Sequence, residues 1–384
     1  MSAETAGKVI KCRAAICWAP RKPLTIEEVE VDTPKVGEVR VKVVANGVCH
    51  SDLHVYKGDY ENVEIRLKYP CILGHEAAGI VESIGEGVTS VSPGDHVITF
   101  FNAQCGECAF CKNPKTNMCL TRISDEEVMP DNQTRFKLNG KSVYHFCGIS
   151  SLSEFIVLSE FKVGKINPKA RLDRACIFSC GFATGYGSVV NLAKVEPNSK
   201  VAVWGMGTVG LSAVYGAYKS KAAIIIGVDT NDEKMEIAKK MGCTHFINPL
   251  KCKEENKTVV EAIKELTDGF GVDYAFDCVG HASCVRQAFD STPIWGTTVV
   301  VGVSSPENKL SLDPNEFLYG KKLMGALLGG YKPRDCIPAL VQEYVDGKHD
   351  IIENLFTGSV TLDEVDDAFQ WLIQGKVLRT VVRY

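Results

Sequence analysis

The sequence has no apolar run that approaches the roughly 20 residues needed to cross a lipid bilayer. It carries little net charge, −4 over 384 residues, so no strong field favours nucleic acid or an anionic membrane as a partner. Residues 1–5 lack the apolar core of a secretory signal. With 45% hydrophobic and 23% charged residues, these absences predict a soluble globular protein of the cytoplasm that binds neither nucleic acid nor membrane.

Cysteine is abundant, with sixteen residues, and its distribution is uneven. Because no secretory signal is present, reduced thiols or metal ligands are expected rather than disulfides. Four cysteines crowd between Cys105 and Cys119, whereas others stand singly among apolar residues, as Cys176 does. A scattered cysteine usually behaves as a small buried hydrophobic residue. The clustered thiols are therefore the first candidates for metal binding.

The order of sequence patterns indicates two domains. Alternation at 38–43 and the stretch 88–95 predict short strands joined by glycine and proline turns. From 200 to 303, β-branched runs alternate with helical stretches, which is typical of a parallel sheet with crossover helices. The predicted strands are 201–204, 224–228, 274–276 and 299–301, and the predicted helices include 232–241, 259–267 and 362–374.

The fold class predicted from this order is α/β, with one domain inserted into another. A doubly wound parallel sheet domain at 183–325 interrupts a mainly-β catalytic domain formed by 1–182 and 326–384. The late return to mixed character after 326 is the reason for expecting an insertion rather than two consecutive domains.

A glycine pattern follows the predicted strand at 201–204 and opens a helix. In Gly205-Met206-Gly207-Thr208-Val209-Gly210, the first glycine allows a tight turn and the second lets a pyrophosphate approach the backbone. The third permits close packing of helix on strand, and the helix N-terminus offers N–H groups to the phosphates. Such a motif alone is weak, because many matches are accidental glycine turns.

An acidic residue at the end of the next strand strengthens this interpretation. Asp229 could simply cap the end of its strand, but it also occupies the place of the carboxylate that binds the ribose in dinucleotide sites. A carboxylate there accepts hydrogen bonds from the ribose hydroxyls of NAD and would repel the 2′-phosphate of NADP. The strand, the glycines and the acid together predict an NAD site.

The clustered cysteines have the spacing C-x₂-C-x₂-C-x₇-C. Four thiolates this close in sequence can close a tetrahedron around zinc and leave no position open for chemistry. Similar runs hold iron–sulfur clusters, so the spacing does not fix the metal. No second cluster motif is present, which favours structural zinc in a lobe near 103–122. The ligands would be Cys105, Cys108, Cys111 and Cys119.

Several stretches of this sequence together resemble one known family, the zinc-containing medium-chain alcohol dehydrogenases of the dimeric animal and plant type. The resemblance runs in order from about Lys8 to the C-terminus. The stretches are Gly-Val-Cys-His-Ser-Asp from Gly47, Gly-His-Glu-Ala-Ala-Gly-Ile-Val-Glu from Gly74, the four-cysteine loop, Cys-Gly-Phe-Ala-Thr-Gly-Tyr-Gly from Cys180, and the glycine fingerprint. This resemblance implies a GroES-like catalytic domain, a Rossmann domain, a homodimer, and NAD with two Zn²⁺ ions per subunit as cofactors.

The resemblance also implies a role for each matching residue. Cys49, His75 and Cys180 would bind the catalytic zinc, a set of two thiolates and one imidazole known from alcohol dehydrogenases. Asp52 would orient His75, and Glu76 would act as a transient ligand. Ser51 and His54 would relay the proton. The cofactor-binding positions would be His50, Thr184, Gly205, Gly207, Thr208, Val209, Gly210, Asp229, Lys234, Val301, Val303 and Arg379, and the substrate channel would be lined by Phe101, Phe146 and Val303.

The predicted activity is oxidation of primary and secondary alcohols to aldehydes and ketones, and the reverse. Two departures from the family pattern leave the physiological alcohol open. His50 stands where many relatives carry an arginine that touches the pyrophosphate, which predicts weaker NADH binding and faster release. The stretch 59–68 is longer than in many members and would border the substrate channel.

Three alternatives remain. A glutathione-dependent formaldehyde dehydrogenase would carry an arginine at the position of Ile123, whereas here Arg122 lies one place earlier. A zinc-free quinone reductase is disfavoured by the full set of zinc ligands. A non-enzymatic structural protein that reuses the fold is disfavoured because the ligands and the relay are all present.

Overall fold

The computed structural model describes residues 5–59, 67–123, 127–305 and 307–384, without the side chains of 122 and 123. Its strands are β1 (Ile10–Cys17), β2 (Thr25–Val31), β3 (Glu38–Val48), β4 (Cys71–Ile72), β5 (Glu76–Ile84), β6 (His96–Thr99), β7 (Phe136–Leu138), β8 (Lys141–Val143), β9 (Phe155–Ser159), β10 (Val163–Lys165), β11 (Lys200–Trp204), β12 (Ile224–Val228), β13 (His245–Ile247), β14 (Tyr274–Asp277), β15 (Thr297–Val300), β16 (Lys322–Gly325), β17 (Phe356–Thr361) and β18 (Arg379–Arg383).

The α-helices are α1 (His50–Lys57), α2 (Ala109–Lys112), α3 (Leu172–Ala175), α4 (Gly181–Gly187), α5 (Thr208–Lys219), α6 (Met235–Lys240), α7 (Pro249–Glu254), α8 (Val259–Glu265), α9 (Ala282–Asp290), α10 (Asn315–Leu318), α11 (Pro333–Val345) and α12 (Val365–Ile373). Short 3₁₀ helices lie at Leu120–Ile123, Glu160–Lys162, Cys176–Ser179, Asp232–Lys234, Leu328–Gly330, Asp350–Leu355 and Leu362–Glu364, and a π-helical turn lies at Ser188–Ala193. No single described helix is both long and apolar enough to span a membrane, although the bent pair at 172–179 and 181–193 together reaches that length and composition.

The chain forms two compact units, Met1–Cys180 with Lys332–Tyr384, and Gly181–Tyr331. The predicted insertion, 183–325, lies inside the observed second unit. The observed unit is longer because Gly329, in the turn that follows β16, packs directly against α4. Gly329, Gly330 and Pro333 stand beside the second junction, but the sequence pattern alone did not place the boundaries exactly where packing does.

The first unit is built mainly from two β-sheets, as predicted. One sheet has the strand order β4-β1-β2-β7-β8, and the other has the order β10-β6-β5-β3-β18-β17 with β9 also paired to β3. All pairs in this unit are antiparallel except β17 with β18. Inward-facing apolar side chains of both sheets, such as Val41 and Ile16, are fully buried in one core. Gly47 near the end of β3 pairs with Glu76 at the start of β5, and the candidate ligands lie at this end of the two strands.

The second unit is a six-stranded parallel sheet with the order β13-β12-β11-β14-β15-β16. This is the order of a doubly wound dinucleotide-binding fold. Strands β12 and β13 lie on one side of β11, and β14, β15 and β16 lie on the other, so the strand order switches between β11 and β14. The β-branched runs predicted as strands are its central strands, and they are buried because helices cover both faces of such sheets. The fold class predicted from the sequence is thereby confirmed.

One predicted strand is wrong. The stretch 88–95 forms turns, and the next strand begins only at His96. Val88 and Val91 are both buried, but they are three residues apart. Two such side chains point to opposite faces of a strand, so burying both against one core requires an irregular backbone.

Candidate functional site

The first ligand stretch lies where β3 meets α1. Cys49 is the residue before the helix, and its backbone N–H donates to Asp52 Oδ2 at 3.1 Å. This reciprocal capping arrangement satisfies a backbone donor at the helix start and fixes the turn that carries the Cys49 thiol. Strand end and helix start thus hold the cysteine in a buried position, with 5% of its surface exposed.

Four side chains from distant parts of the first unit converge on one point. One donor atom from each of Cys49, His75, Glu76 and Cys180 lies within 4.8 Å of the others, and all four residues are buried. They come from the start of α1, the start of β5 and the end of the 3₁₀ helix Cys176–Ser179. A hydrogen bond from the Cys180 thiol is the main cause that lowers the pKa of Cys49. The group has the chemistry and spacing to hold one metal ion.

Asp52 fixes the orientation of the His75 ring. His75 Nδ1–H donates to Asp52 Oδ1 at 3.1 Å, and the same oxygen accepts from the Gly74 N–H at 2.9 Å. His75 Nε2 is then buried without a hydrogen-bond partner among the described residues. An orphaned buried nitrogen costs free energy unless something binds it. A metal shared with the two thiols would satisfy it, and Asp52 is the carboxylate that such ligands commonly require.

Glu76 and Arg379 form a buried pair beside these ligands. Arg379 Nη2 lies 3.3 Å from Glu76 Oε1, and Arg379 Nη1–H donates to the Val48 carbonyl at 2.6 Å. Burial raises the pKa of Glu76 to about 8, although Arg379 acts in the opposite direction. A bound cation would favour the ionised carboxylate. A Cβ at Gly47 would overlap Glu76 Oε2, so any larger residue there would displace the Glu76 carboxylate.

The predicted relay residues lie on α1. Ser51 Oγ is 3.8 Å from Cys49 Sγ, so the hydroxyl reaches the edge of the ligand cluster. His54 lies one helical turn further along and is partly exposed, with its Nδ1 2.7 Å from Asp59 Oδ2. His50 begins the helix and is exposed.

Two aromatic rings flank the candidate ligand His75. The ring centroids of Phe101 and Phe146 lie 6.0 and 5.8 Å from that of His75, both in edge-to-face orientation. They provide an apolar wall beside His75, and their place in a substrate channel stays a prediction. Val303, the third predicted channel residue, is 49% exposed and belongs to the second unit.

The four clustered cysteines also converge. Their sulfur atoms lie within 4.8 Å of one another, with Cys105 to Cys111 at 3.8 Å and Cys108 to Cys119 at 3.9 Å. Backbone N–H groups of Cys105, Cys108 and Cys111 each approach a neighbouring sulfur at 3.4 Å, an arrangement that favours thiolates. Few apolar residues support this lobe, so a metal would supply much of its stability.

The glycine fingerprint lies where the sequence predicted it, between β11 and α5. Gly205 has φ +87°, which favours glycine, and a Cβ at Gly210 would overlap the Gly205 carbonyl. A Cβ at Gly207 meets nothing within 4 Å, so this residue leaves open space at the helix start. Thr208 and Val209 begin the helix, and the positive end of a helix dipole favours an anion at its N-terminus.

The two predicted ribose-binding residues lie together at the end of β12. Lys234 Nζ is 3.0 Å from Asp229 Oδ2, and the Met206 N–H of the glycine loop donates to the same oxygen at 2.7 Å. Asp229 also accepts from the Asn231 N–H, so it caps the strand end as well as standing beside the loop. This geometry is therefore compatible with Asp229 as a cap of the strand end and with Asp229 as a ligand of the ribose.

Two further predicted cofactor residues, Thr184 and Val301, are both buried in the second unit but differ in hydrogen bonding. Thr184 Oγ1 is buried and has no hydrogen-bond partner among the described residues, as expected of a group that awaits a ligand. Val301 is buried, and its N–H donates to the Asp277 carbonyl at 2.8 Å. Binding by these residues stays a prediction.

Sequence reasoning missed Asp59, which contacts His54, and the contact of Arg379 with Glu76. The first could have been found from Gly58, since a glycine just after a helix turns the next residue back towards the last turn. The second could not, because Glu76 and Arg379 are far apart in sequence. The side chains of Arg122 and Ile123, and most of the 59–68 stretch, lie outside the described residues.

Comparison with known families matches both parts of the chain. Residues 35–168 match the alcohol dehydrogenase GroES-like domain, and residues 208–346 match the zinc-binding dehydrogenase domain. Alcohol dehydrogenase class-3 of Pisum sativum is 45% identical over 383 residues, spanning 98% of this chain and 99% of the relative. The class-3 enzyme of Zea mays is 45% identical over 387 residues, spanning 100% and 99%.

Solved structures show the same fold along nearly the whole chain. An alcohol dehydrogenase zinc-binding domain protein from Burkholderia ambifaria has a TM-score of 0.89 and 32% identity, covering 98% of this chain and 99% of its own. Benzyl alcohol dehydrogenase from Acinetobacter calcoaceticus has a TM-score of 0.86 and 31% identity, covering 97% and 99%.

Proposed function

Because this chain belongs to the zinc-containing medium-chain alcohol dehydrogenase family, we propose that it oxidises primary and secondary alcohols with NAD as hydride acceptor. The observation that carries this proposal is the buried convergence of Cys49, His75 and Cys180, with His75 Nε2 lacking a partner among the described atoms. Two thiols and an imidazole suit zinc and leave one corner of its tetrahedron open. The donor set therefore fits a catalytic metal.

In the proposed reaction, each residue has one task. When bound, the zinc supplies Lewis acidity that makes an alcohol hydroxyl acidic near neutral pH, and NAD supplies the hydride acceptor. Asp52 holds His75 so that its Nε2 points at the metal position. Phe101 and Phe146 exclude water from that side and accommodate the carbon chain. Ser51 accepts the hydroxyl proton and passes it towards His54.

The cofactor is proposed to be NAD rather than NADP. The Asp229 carboxylate stands beside the glycine loop, where it would accept from the ribose hydroxyls and repel a 2′-phosphate. The Gly207 position leaves room for the pyrophosphate at the start of α5. Thr184, Val301 and Val303 are proposed to complete the cofactor contacts.

A second metal and a homodimer are part of the same proposal. The four-cysteine lobe has the geometry for a closed structural zinc, which gives two zinc ions per chain. In the second unit, β16 is an edge strand, and Leu318 and Tyr319 just before it are 77% and 74% exposed. An uncovered edge beside large apolar side chains suits pairing with a second copy. We place the protein in the cytoplasm.

S-Hydroxymethylglutathione is a second candidate substrate. The 45% identity to class-3 alcohol dehydrogenases, the glutathione-dependent formaldehyde dehydrogenase type, favours it. Against it, Arg122 lies one position before the place where that branch carries its arginine. A comparison of substrates decides between the two.

The test is a steady-state assay of NADH formation with ethanol, octanol, and formaldehyde plus glutathione. Cys49→Ala is expected to lower kcat/KM by at least about a thousandfold, because losing the Lewis acid removes several kcal/mol of transition-state stabilisation. Cys252→Ala, a buried cysteine on α7, is the matched control and should retain activity. Full activity in Cys49→Ala would refute the proposal, and activity confined to formaldehyde with glutathione would favour the second substrate.

A further inference from the structure

A carboxylate outside the metal clusters lies against the histidine proposed to carry the proton. Asp59 Oδ2 is 2.7 Å from His54 Nδ1, a distance typical of a charge-assisted hydrogen bond. Both side chains reach solvent, with 28% of His54 and 37% of Asp59 exposed. Neither the family match nor the sequence pattern assigns a role to Asp59.

The backbone holds Asp59 in this position. Helix α1 ends at Lys57, and Gly58 takes a left-handed conformation with φ 76°. The N–H groups of Gly58 and Asp59 both donate to the His54 carbonyl, the latter at 2.9 Å. This helix end turns the chain back on itself, so Asp59 lies over the turn that carries His54. The contact therefore follows from the local sequence, in which Gly-Asp comes directly after the helix.

The hydrogen bond determines which nitrogen of His54 can act as a base. An ionised carboxylate can only accept, so Nδ1 must carry the proton that it donates to Asp59. In the neutral ring, Nε2 then has the lone pair and can accept a proton. When it does, the adjacent carboxylate stabilises the imidazolium. A buried aspartate beside a catalytic histidine plays the same part in hydrolases.

Resting on the proposed alcohol oxidation, we infer that Asp59 is a positioning residue of the proton relay. It holds His54 in the tautomer whose Nε2 takes the proton passed on by Ser51. The imidazolium then gives its Nε2 proton to water, which restores the tautomer with Nδ1–H bonded to Asp59. Because both groups are partly exposed, the outer end of the relay lies at solvent.

The pair contributes little to stability, which makes substitution informative. Exposed ion pairs add little to the free energy of unfolding, so Asp59→Asn should fold normally. Asparagine keeps the size of the side chain but removes the charge and can present an N–H to Nδ1. The wrong tautomer then becomes accessible. A purely structural role would be largely preserved by this substitution.

The experiment compares Asp59→Asn, Asp59→Glu, His54→Gln and the double variant Asp59→Asn/His54→Gln in steady-state alcohol oxidation. We expect Asp59→Asn to lower kcat about tenfold with little change in the KM for alcohol, since the loss is in proton transfer. Asp59→Glu should restore most of kcat because it keeps the carboxylate. The double variant should be no slower than His54→Gln alone, because the two residues act as one unit.

Glu343→Gln is the matched control. It breaks another histidine–carboxylate pair, His349 Nε2 to Glu343 Oε2 at 3.0 Å, formed by α11 and the turn after it. Its kcat should equal that of the wild type. Two results would overturn this inference but not the proposed function. One is an unchanged kcat in Asp59→Asn. The other is that adding Asp59→Asn to His54→Gln lowers kcat by the same factor as adding it to the wild type. A wild-type chain that forms no NADH from any alcohol overturns the proposed function, and the inference with it.

Discussion

Asp52 is the residue on which the candidate zinc site most depends. Its two oxygens accept from the Cys49 and Gly74 N–H groups and from the His75 ring. It therefore couples the start of α1 to the start of β5, and it sets the direction of the His75 lone pair. Burial of this carboxylate is offset by three hydrogen bonds, as buried charges require.

We predict that Asp52→Asn weakens zinc binding. An amide can accept from one backbone N–H but cannot hold the His75 Nδ1 proton with a full charge, so the ring loses orientation and basicity. Loss of such a partner costs about 10- to 100-fold in metal affinity. Zinc retained against a graded series of chelator concentrations measures this.

Asp366→Asn is the control for that substitution, because Asp366 also accepts a backbone N–H, from Leu24, but contacts no candidate ligand. Equal zinc retention by Asp52→Asn and the control would show that Asp52 does not support the site.

At the scale of single residues, the sequence could identify groups of ligands that are close in sequence. It could not identify groups whose members are far apart in sequence. The four-cysteine loop was recognisable from its spacing alone. Cys49, His75 and Cys180 became a set only through the resemblance to a known family, since β3, β5 and a 3₁₀ helix bring them together. The pairing of Glu76 with Arg379 depends on strand order, which no local pattern encodes.

At the scale of elements, strands of the parallel sheet were predicted well, whereas the 88–95 stretch was not. Runs such as 224–228 are continuous and β-branched, because parallel strands are buried on both faces. Val88 and Val91 gave a similar local signal but are buried from an irregular turn. The composition of a stretch indicates whether it is buried. Only the spacing of its buried residues distinguishes a strand from a turn.

The glycine loop and α5 allow a paired prediction. Gly210→Ala is expected to destabilise the protein by about 1–3 kcal/mol, because the new methyl group overlaps the Gly205 carbonyl. Gly207→Ala should change stability by less than about 0.5 kcal/mol, since open space surrounds it. Both should weaken NAD binding, Gly207→Ala because the methyl group takes the space of the pyrophosphate. Urea unfolding and NADH fluorescence titration measure the two effects.

If Gly207→Ala binds NADH as tightly as the wild type, the open space at the start of α5 does not receive the pyrophosphate.

At the scale of the whole molecule, the free edge of the parallel sheet predicts the assembly. The Lys322 N–H donates to the Gly296 carbonyl in the loop before β15, and the Ala326 N–H donates to the Val300 carbonyl at the end of β15. In an extended strand, N–H groups alternate in direction, so the N–H of Leu323 points away from β15. That N–H is available for a strand of a second copy.

We predict that Leu323→Pro converts a dimer to a monomer, because proline removes the outward N–H while the bonds to β15 remain. Leu323→Val keeps the N–H and should remain dimeric. Light scattering coupled to size-exclusion chromatography measures the mass of each variant. A dimeric Leu323→Pro protein would place the interface elsewhere.

Anomalous diffraction at the zinc edge, from crystals of the purified protein, tests most directly whether both clusters hold zinc. We expect two peaks per chain, one among the four clustered cysteines and one bound by Cys49 Sγ, His75 Nε2 and Cys180 Sγ. Absence of the second peak from fully active protein would contradict this expectation.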